Sequence, residues 1–315
     1  MQKIKLGISS CLLGEKVRYD GGHKSDHFLS DTLGKYIEWV RVCPEVECGL
    51  PVPREAMHLA GDPEAPRLVT IRTGVDHTSR MQKWAKQKIK TLEAEDLCGF
   101  VFKSRSPSSG MRGVKIYTEA GVPKATGSGI FAKAFMTKFP LLPVEDEGRL
   151  HDPALRENFI ERIFVLKRWQ EFRASDKTIG GLVSFHTDHK LLVMSHSAKH
   201  YTALGRLVAD AKQYPRQALH ENYLATLMEA LRFIATVKKN TNVLQHMAGY
   251  FKEQLSKDEK QELQEVIANY HKELVPLIVP MTLIGHYAKK CRVEYLKRQY
   301  YLNPHPLELM LRNHG

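Results

Sequence analysis

The first half of the chain alternates short runs that are apolar at every second position with stretches of helical spacing. IKLGIS (4–9) puts Ile4, Leu6 and Ile8 on one face and stops at Ser10-Cys11, WVRV (39–42) stops at Cys43-Pro44, and GFVFK (99–103) stops at the polar loop SRSPSSG. Length and period predict each run as a strand. Between the second and third, Met81, Trp84, Ala85, Ile89 and Leu92 fall near helical spacing over 78–92, with Asp76 or Thr78 available as N-cap. Strands joined by a crossover helix predict a parallel sheet, which binds its ligand beyond the carboxyl ends of its strands. All three loops are then expected to open on one crevice.

After about residue 150 the period changes. LRENFIERIFVLKRWQEF (155–172) recurs every three to four residues, and so do 199–212, 217–239, 256–274 and 280–299, with prolines 215, 276, 280, 304 and 306 at plausible helix boundaries. The expected fold class is an α/β, Rossmann-like N-terminal domain with a parallel sheet over 1–150. A bridging helix or linker (151–180) and an all-α C-terminal domain (181–315) follow. There is no internal repeat or low-complexity tract.

Composition narrows the class. With 43% hydrophobic and 26% charged residues the chain reads as soluble and globular, and no run reaches the roughly 18 apolar residues of a membrane span. The polar start MQKIKLGISS lacks a signal-peptide core, so a cytoplasmic location is expected. In that reducing compartment the five cysteines (Cys11, Cys43, Cys48, Cys98, Cys291) are left for metal binding, catalysis or plain burial rather than disulfides. The net charge is +12, with 23 basic and 18 acidic residues in 1–150 and 18 and 12 in 181–315. A polyanion such as RNA is a natural partner for such a chain, although many basic proteins bind none.

Chemistry concentrates on the three loops. Cys11 and Cys43 stand at strand ends, whereas Cys98 and Cys291 read as small buried hydrophobes. Cys43 and Cys48, spaced C-x4-C, are a weak pair alone, and a zinc ribbon would need a second pair. Thiolates drawn from separate loops suit an iron-sulfur cluster better. Glu45 and Glu47 sit between the two cysteines, and a carboxylate beside such a group can move protons. Gly49-Leu-Pro-Val-Pro53 stiffens that loop. SRSPSSGMRG (104–113) offers hydroxyls flanked by Arg105 and Arg112, equally consistent with a plain anion-binding turn.

Three motifs in order, S-x-C-L-L-G with V-R-Y-D-G (9–21), C-P-E-V-x-x-G-L-P-x-P-R (43–54) and K-x-R-S-P-S-x-G (103–110), resemble the thiouracil desulfidase family over roughly residues 1–150. FHTDHKLLVMSHS (185–197), Y-x-x-L-G-x-L-V (201–208) and LIVPMTLI-x-HY (277–287) are similar to the helical domain of its two-domain members, which resemble tRNA 4-thiouridine desulfidases. The resemblance implies a 4Fe-4S cluster bound by three cysteines, whose free iron takes the sulfur of a thiolated pyrimidine. Sulfur leaves as hydrogen sulfide and oxygen from water replaces it. By motif position Cys11 and Cys43 are ligands, Glu45 transfers protons and Ser106 meets the substrate; apart from the motif, Ser10, Arg105, Ser109 and Arg112 are expected to bind substrate or RNA, the two arginines at a nearby phosphate. The family's usual third ligand, the cysteine of S-P-S-C-G, is Ser109 here, and Cys48 is the expected replacement.

In the second half Lys190, Lys199, His200 and Tyr201 cluster with His186, His189 and His196. Without an acidic or cysteine partner they make a poor metal set, but lysines on phosphates and aromatic rings on bases are how looped RNA is held. A solvated helix face gives the same pattern. The expected partner is tRNA and the expected activity is desulfidation of its thiouridine. The rivals are a basic RNA-binding protein with a structural metal or a decayed site, and a desulfidase of free thiolated bases.

Overall fold

The computed structural model describes residues 3–118 and 121–312, and the chain divides into two compact units, 1–152 and 153–315. In the first unit β1 (Ile4–Ser9), β2 (Ile37–Val42), β5 (Phe100–Phe102) and β8 (Val144–Asp146) form a wholly parallel sheet in the order β2-β1-β5-β8. The three strands read from sequence are its first three in chain order. β1 is central: Leu6 and Ile8 are fully buried, and Gly7 pairs with Phe100. A Cβ at Gly7 would lie 2.1 Å from the Phe100 ring, so the close approach of β1 and β5 requires glycine.

Phe100 and Phe102 project to one face, as a two-residue period demands. There they pack with Ala85, Ile89 and Leu92 of α2 (Thr78–Glu93) and with Phe131, Ala132 and Phe135 of α3 (Ile130–Lys138). The α2 stripe is packing, as its periodicity implies. His77 occupies the cap position, and the Asp76 carboxylate accepts from the Thr78 amide at 2.8 Å.

A second sheet, unexpected from sequence, has the order β4-β3-β6-β7 and combines β3 (Met57–Ala60), β4 (Arg67–Thr70), β6 (Val114–Tyr117) and β7 (Pro123–Gly127). Only its β3–β6 pair is parallel. It buries Leu59, Leu68, Val114 and Ile116 around Met81.

In the main sheet the chain leaves β1 for β2 on one side and returns to β5 on the other. Connections diverge at the carboxyl ends of β1 and β5, the switch point where open α/β sheets leave a crevice.

Among the described residues the second unit is helical: α4 (Pro153–Ser175), α5 (Ile179–His196), α6 (Ala198–Ala209), α7 (Arg216–Ala230), α8 (Val237–Ala248), α9 (Lys257–His271), α10 (Ile278–Lys290) and α11 (Glu294–Lys297). The helix expected to bridge the domains, α4, lies within this unit. Side-chain caps set several starts: Thr178, Ser197 and Thr236 each accept from an amide three residues on, and Ser256 and Glu259 form a capping box. The single period read over 217–239 is two helices, because α7 stops at Ala230 and Thr236 caps a new start. Pro280 sits in the first turn of α10, where its missing N–H costs nothing. No helix of the described residues is long and apolar enough to cross a membrane.

Candidate active site

At the carboxyl end of the parallel sheet lies a cavity of about 970 Å³ lined by the loops after β1, β2, β5 and β8. Ser10 and Cys11 reach it from the β1 loop, Cys43 and Glu45 from the β2 loop, and Arg105, Ser106, Ser109 and Arg112 from the β5 loop. Eight of the residues expected at the site thus converge. The Lys103 amide donates to the Ser9 hydroxyl at 2.9 Å, tying the ends of β1 and β5 together beneath it.

The segment from Cys43 to Cys48 separates its two glutamates by role. Cys43 precedes the short helix α1 (Pro44–Glu47), and the Glu47 carboxylate turns back to accept from the Cys43 amide at 2.9 Å while pairing with Lys88 at 2.9 Å. Glu47 is therefore structural. Glu45 turns into the cavity: its Oε1 accepts from Ser108 Oγ at 2.5 Å and from Ser106 Oγ at 3.4 Å, and its Oε2 lies 3.7 Å from Cys43 Sγ and 3.9 Å from the Arg54 guanidinium. One carboxylate thus joins a thiol to two hydroxyls. Ser108, fully buried, was a loop hydroxyl in the sequence with no position to single it out; the structure makes it Glu45's shortest contact.

Burial governs the thiols. It pushes Cys11 up to about 11, with the Glu45 charge adding and the Lys103 charge opposing. Burial and then Glu45 push Cys43 up to about 12. Both are neutral thiols at physiological pH unless a cation displaces their protons. Glu147 anchors the floor, accepting from the Ser104 amide and hydroxyl at 2.7 Å each and from Lys103. Burial alone would raise its carboxyl, but the bonds to Lys103 and Ser104 outweigh burial and hold it below the ordinary range.

The rim is basic. Of its cations, Arg54 and Lys103 are committed to neighbours, and Arg18 pairs with Asp20 and Arg149 with Glu145. Lys24, Arg105 and Arg112 are exposed and have no carboxylate partner among the described residues.

Two expectations are corrected. Cys48 does not line the cavity: its thiol donates to the Glu45 carbonyl at 3.2 Å, and its side chain packs on the apolar cluster of the second sheet. Cys48 is the C-cap of α1, its amide bonded back to the Pro44 carbonyl. His200 is 6% exposed, with Nδ1 against the Ser197 hydroxyl at 2.7 Å and Nε2 3.5 Å from Glu229, so its ring is out of reach of a base. Lys199 is exposed and Lys190 and Tyr201 half-buried, with the Lys190 ammonium 4.9 Å over the Tyr295 ring, on which Tyr250 stacks at 5.0 Å. The sequence reading missed Tyr250 and Tyr295 because they lie far from Lys190 in the chain.

Comparison with known proteins fits this geometry. The 2-thiouracil desulfurase family matches residues 6–147, the segment that builds the cavity, and a family described as a protein of unknown function (DUF1722) matches 190–306. The uncharacterized protein YbgA of Escherichia coli (strain K12) is 31% identical over 155 residues, 49% of this chain and 92% of that protein. The chain belongs to the same family as YbgA. The uncharacterized protein YbbK of Bacillus subtilis (strain 168) is 29% identical over 133 residues, 40% of this chain and 85% of that protein. A solved structure of the 4Fe-4S-dependent thiouracil desulfidase TudS shares 28% identity across 48% of this chain and 95% of its own, with a TM-score of 0.39.

The donors can be tested against a cluster bound by three cysteines. Cys11 and Cys43 fit, since both line the cavity. No third thiol of this unit does: besides Cys48, Cys98 is fully buried before β5, at the opposite end of the sheet. Among the described residues of this unit, two thiols, those of Cys11 and Cys43, line the cavity.

Proposed function

We propose that the chain removes sulfur from thiolated uracil carried on nucleic acid, thiouridine in tRNA, giving uridine and hydrogen sulfide with water as the oxygen source. The observation that carries this reading is the Glu45 carboxylate, held between the Cys43 thiol and the Ser106 and Ser108 hydroxyls at the floor of a basic-rimmed cavity. Replacing a C=S sulfur by oxygen from water needs two protons delivered to the departing sulfur and removed from the incoming oxygen. A carboxylate placed among hydroxyls and a thiol suits that traffic. When bound, an iron-sulfur cluster at Cys11 and Cys43 supplies an iron that accepts the sulfur.

The protein's own groups have separate tasks. Ser106, whose hydroxyl also lies 3.1 Å from Ser108 Oγ, orients the pyrimidine edge, and Ser10 lines the wall beside Cys11. Lys24, Arg105 and Arg112 take the phosphate next to the target base, a task a free base would leave empty. In the second unit, Lys190, Lys199 and Tyr201, with the Tyr250–Tyr295 stack, offer charge and ring faces of the kind that hold looped RNA. An extruded base is required, because the sulfur of a stacked nucleotide is out of reach of a buried site.

The test compares anaerobic sulfide release from thiolated tRNA and from free thiouracil, for wild type and for the Arg105→Ala/Arg112→Ala double variant. The reading expects tRNA to be preferred in kcat/KM, with a preference that falls at high salt and on removing the two arginines. Equal or better turnover of the free base, unchanged by the double variant, would contradict the tRNA assignment in favour of a desulfidase of free bases.

A further inference from the structure

We propose that the third protein ligand of the cluster in this chain is an oxygen, the hydroxyl of Ser109. The inference rests on the desulfidase reading above and resolves the mismatch between three-cysteine ligation and the donors present. Each of three loops brings one donor to the cavity: Cys11 after β1, Cys43 after β2 and Ser109 after β5. Among the three serines at the floor, Ser106 and Ser108 spend their hydroxyls on each other and on Glu45. Ser109 is 3% exposed, and its hydroxyl has no hydrogen-bond partner among the described residues. A nearly buried hydroxyl left open at a cavity wall is available to a ligand.

Its position is held from behind. The Ser109 amide donates to Ser106 Oγ at 3.1 Å, Gly110 closes the turn onto the Ser106 carbonyl at 2.7 Å, and the first amides of α3, Phe131 and Ala132, bond the Ser108 carbonyl at 2.9 and 3.2 Å. By contrast, Cys48 would have to give up its bond to the Glu45 carbonyl and its apolar packing and turn through α1 to reach the cavity. On coordination the Ser109 O–H bond breaks, its proton leaves to solvent, and an iron–oxygen bond forms with no change of oxidation state. Alkoxide is a harder donor than thiolate and suits iron-sulfur ligation less well, so the cluster is held more loosely than by three cysteines.

The experiment uses the full chain, reconstituted anaerobically with iron and sulfide, as wild type, Ser109→Cys, Ser109→Ala and Cys48→Ala. Iron and acid-labile sulfide per chain are measured, with the rate of iron loss to a chelator, after circular dichroism has confirmed folding. The inference predicts close to four irons in the wild type, at least tenfold slower loss in Ser109→Cys, at least tenfold faster loss in Ser109→Ala, and wild-type behaviour in Cys48→Ala. It is overturned if Ser109→Ala matches the wild type or if Cys48→Ala sheds the cluster; either leaves the desulfidase reading standing, since iron is still bound. If neither the wild type nor Ser109→Cys holds iron, the ligand assignment and the iron-sulfur reading fall together.

Discussion

Gly129→Ala tests whether the serine loop is positioned as tightly as the active-site geometry requires. Gly129 caps the start of α3 with φ −63° and ψ 154°, a backbone any residue adopts, so the substitution carries no conformational penalty. The cost is steric. A Cβ there would lie 2.5 Å from the Ser108 carbonyl carbon and oxygen and 2.8 Å from the Ser109 nitrogen, whereas ordinary contact begins at 3.4 Å. The loop must therefore yield by about 0.9 Å at its closest point, and its partners there are backbone atoms that cannot rotate aside. That shift stretches the 2.5 Å bond from Ser108 to Glu45 toward the limit of hydrogen bonding. Overpacking of this kind costs about 1–3 kcal/mol. Urea unfolding and anaerobic desulfidation measured on the same preparation should show that loss, with a fall in kcat of tenfold or more. Gly205→Ala in α6 is the control: nothing lies within 4 Å of its Cβ, and it should gain about 0.4–1 kcal/mol. A Gly129→Ala protein with wild-type stability and activity would refute the tight placement of Ser108 and Ser109.

The second unit makes two further predictions. His186 and His305 are buried and kept neutral, each held by burial at about 4 against an ordinary 6.5, and burial likewise lowers His189 and His220. The unfolded chain takes up these protons first, so stability is full above about pH 6.5 and falls as pH drops toward 4, by roughly 3 kcal/mol for each of the first two. His186→Gln should flatten the acid limb of a stability–pH curve by that amount, and an unchanged limb would contradict it. Arg312, 5% exposed, donates to Glu157 at 2.8 Å and to Glu161 at 2.5 Å. Arg312→Met leaves the buried Glu161 carboxyl beside the half-buried one of Glu157 and should cost about 3–5 kcal/mol in urea unfolding, whereas a loss under 1 kcal/mol would show that the pair is not held by that charge.

The parts of the fold visible in the sequence are those whose burial is one-sided or complete over several residues. β1 alternates, β5 is a continuous apolar run, all three of β1, β2 and β5 end at polar loops, and α2 has a clean stripe, so periodicity finds them. The second sheet escapes because its strands are four or five residues long, so that even the alternation of β6 spans only four positions, and β7 is largely exposed. The break between α7 and α8 escapes because the apolar residues Leu231, Phe233 and Ile234 continue the helical pattern through a turn. At the site, motif order brought the three loops together and named Cys11, Cys43, Glu45 and Ser106. Which of two glutamates enters the cavity, which cysteine turns out of it and which histidines are buried depend on side-chain direction over one helical turn, which spacing alone does not encode.

The central claim, that Glu45 in this cavity moves the protons of desulfidation, is tested most directly by single-turnover sulfide release from thiolated tRNA under anaerobic conditions, for wild type and Glu45→Gln at equal iron content. Glutamine keeps the size and can hydrogen-bond Ser106 and Ser108 but cannot exchange a proton, so the rate should fall by about 10²–10⁴ with RNA binding unchanged. Equal rates for the two proteins, or no sulfide from an iron-loaded wild type, would contradict it.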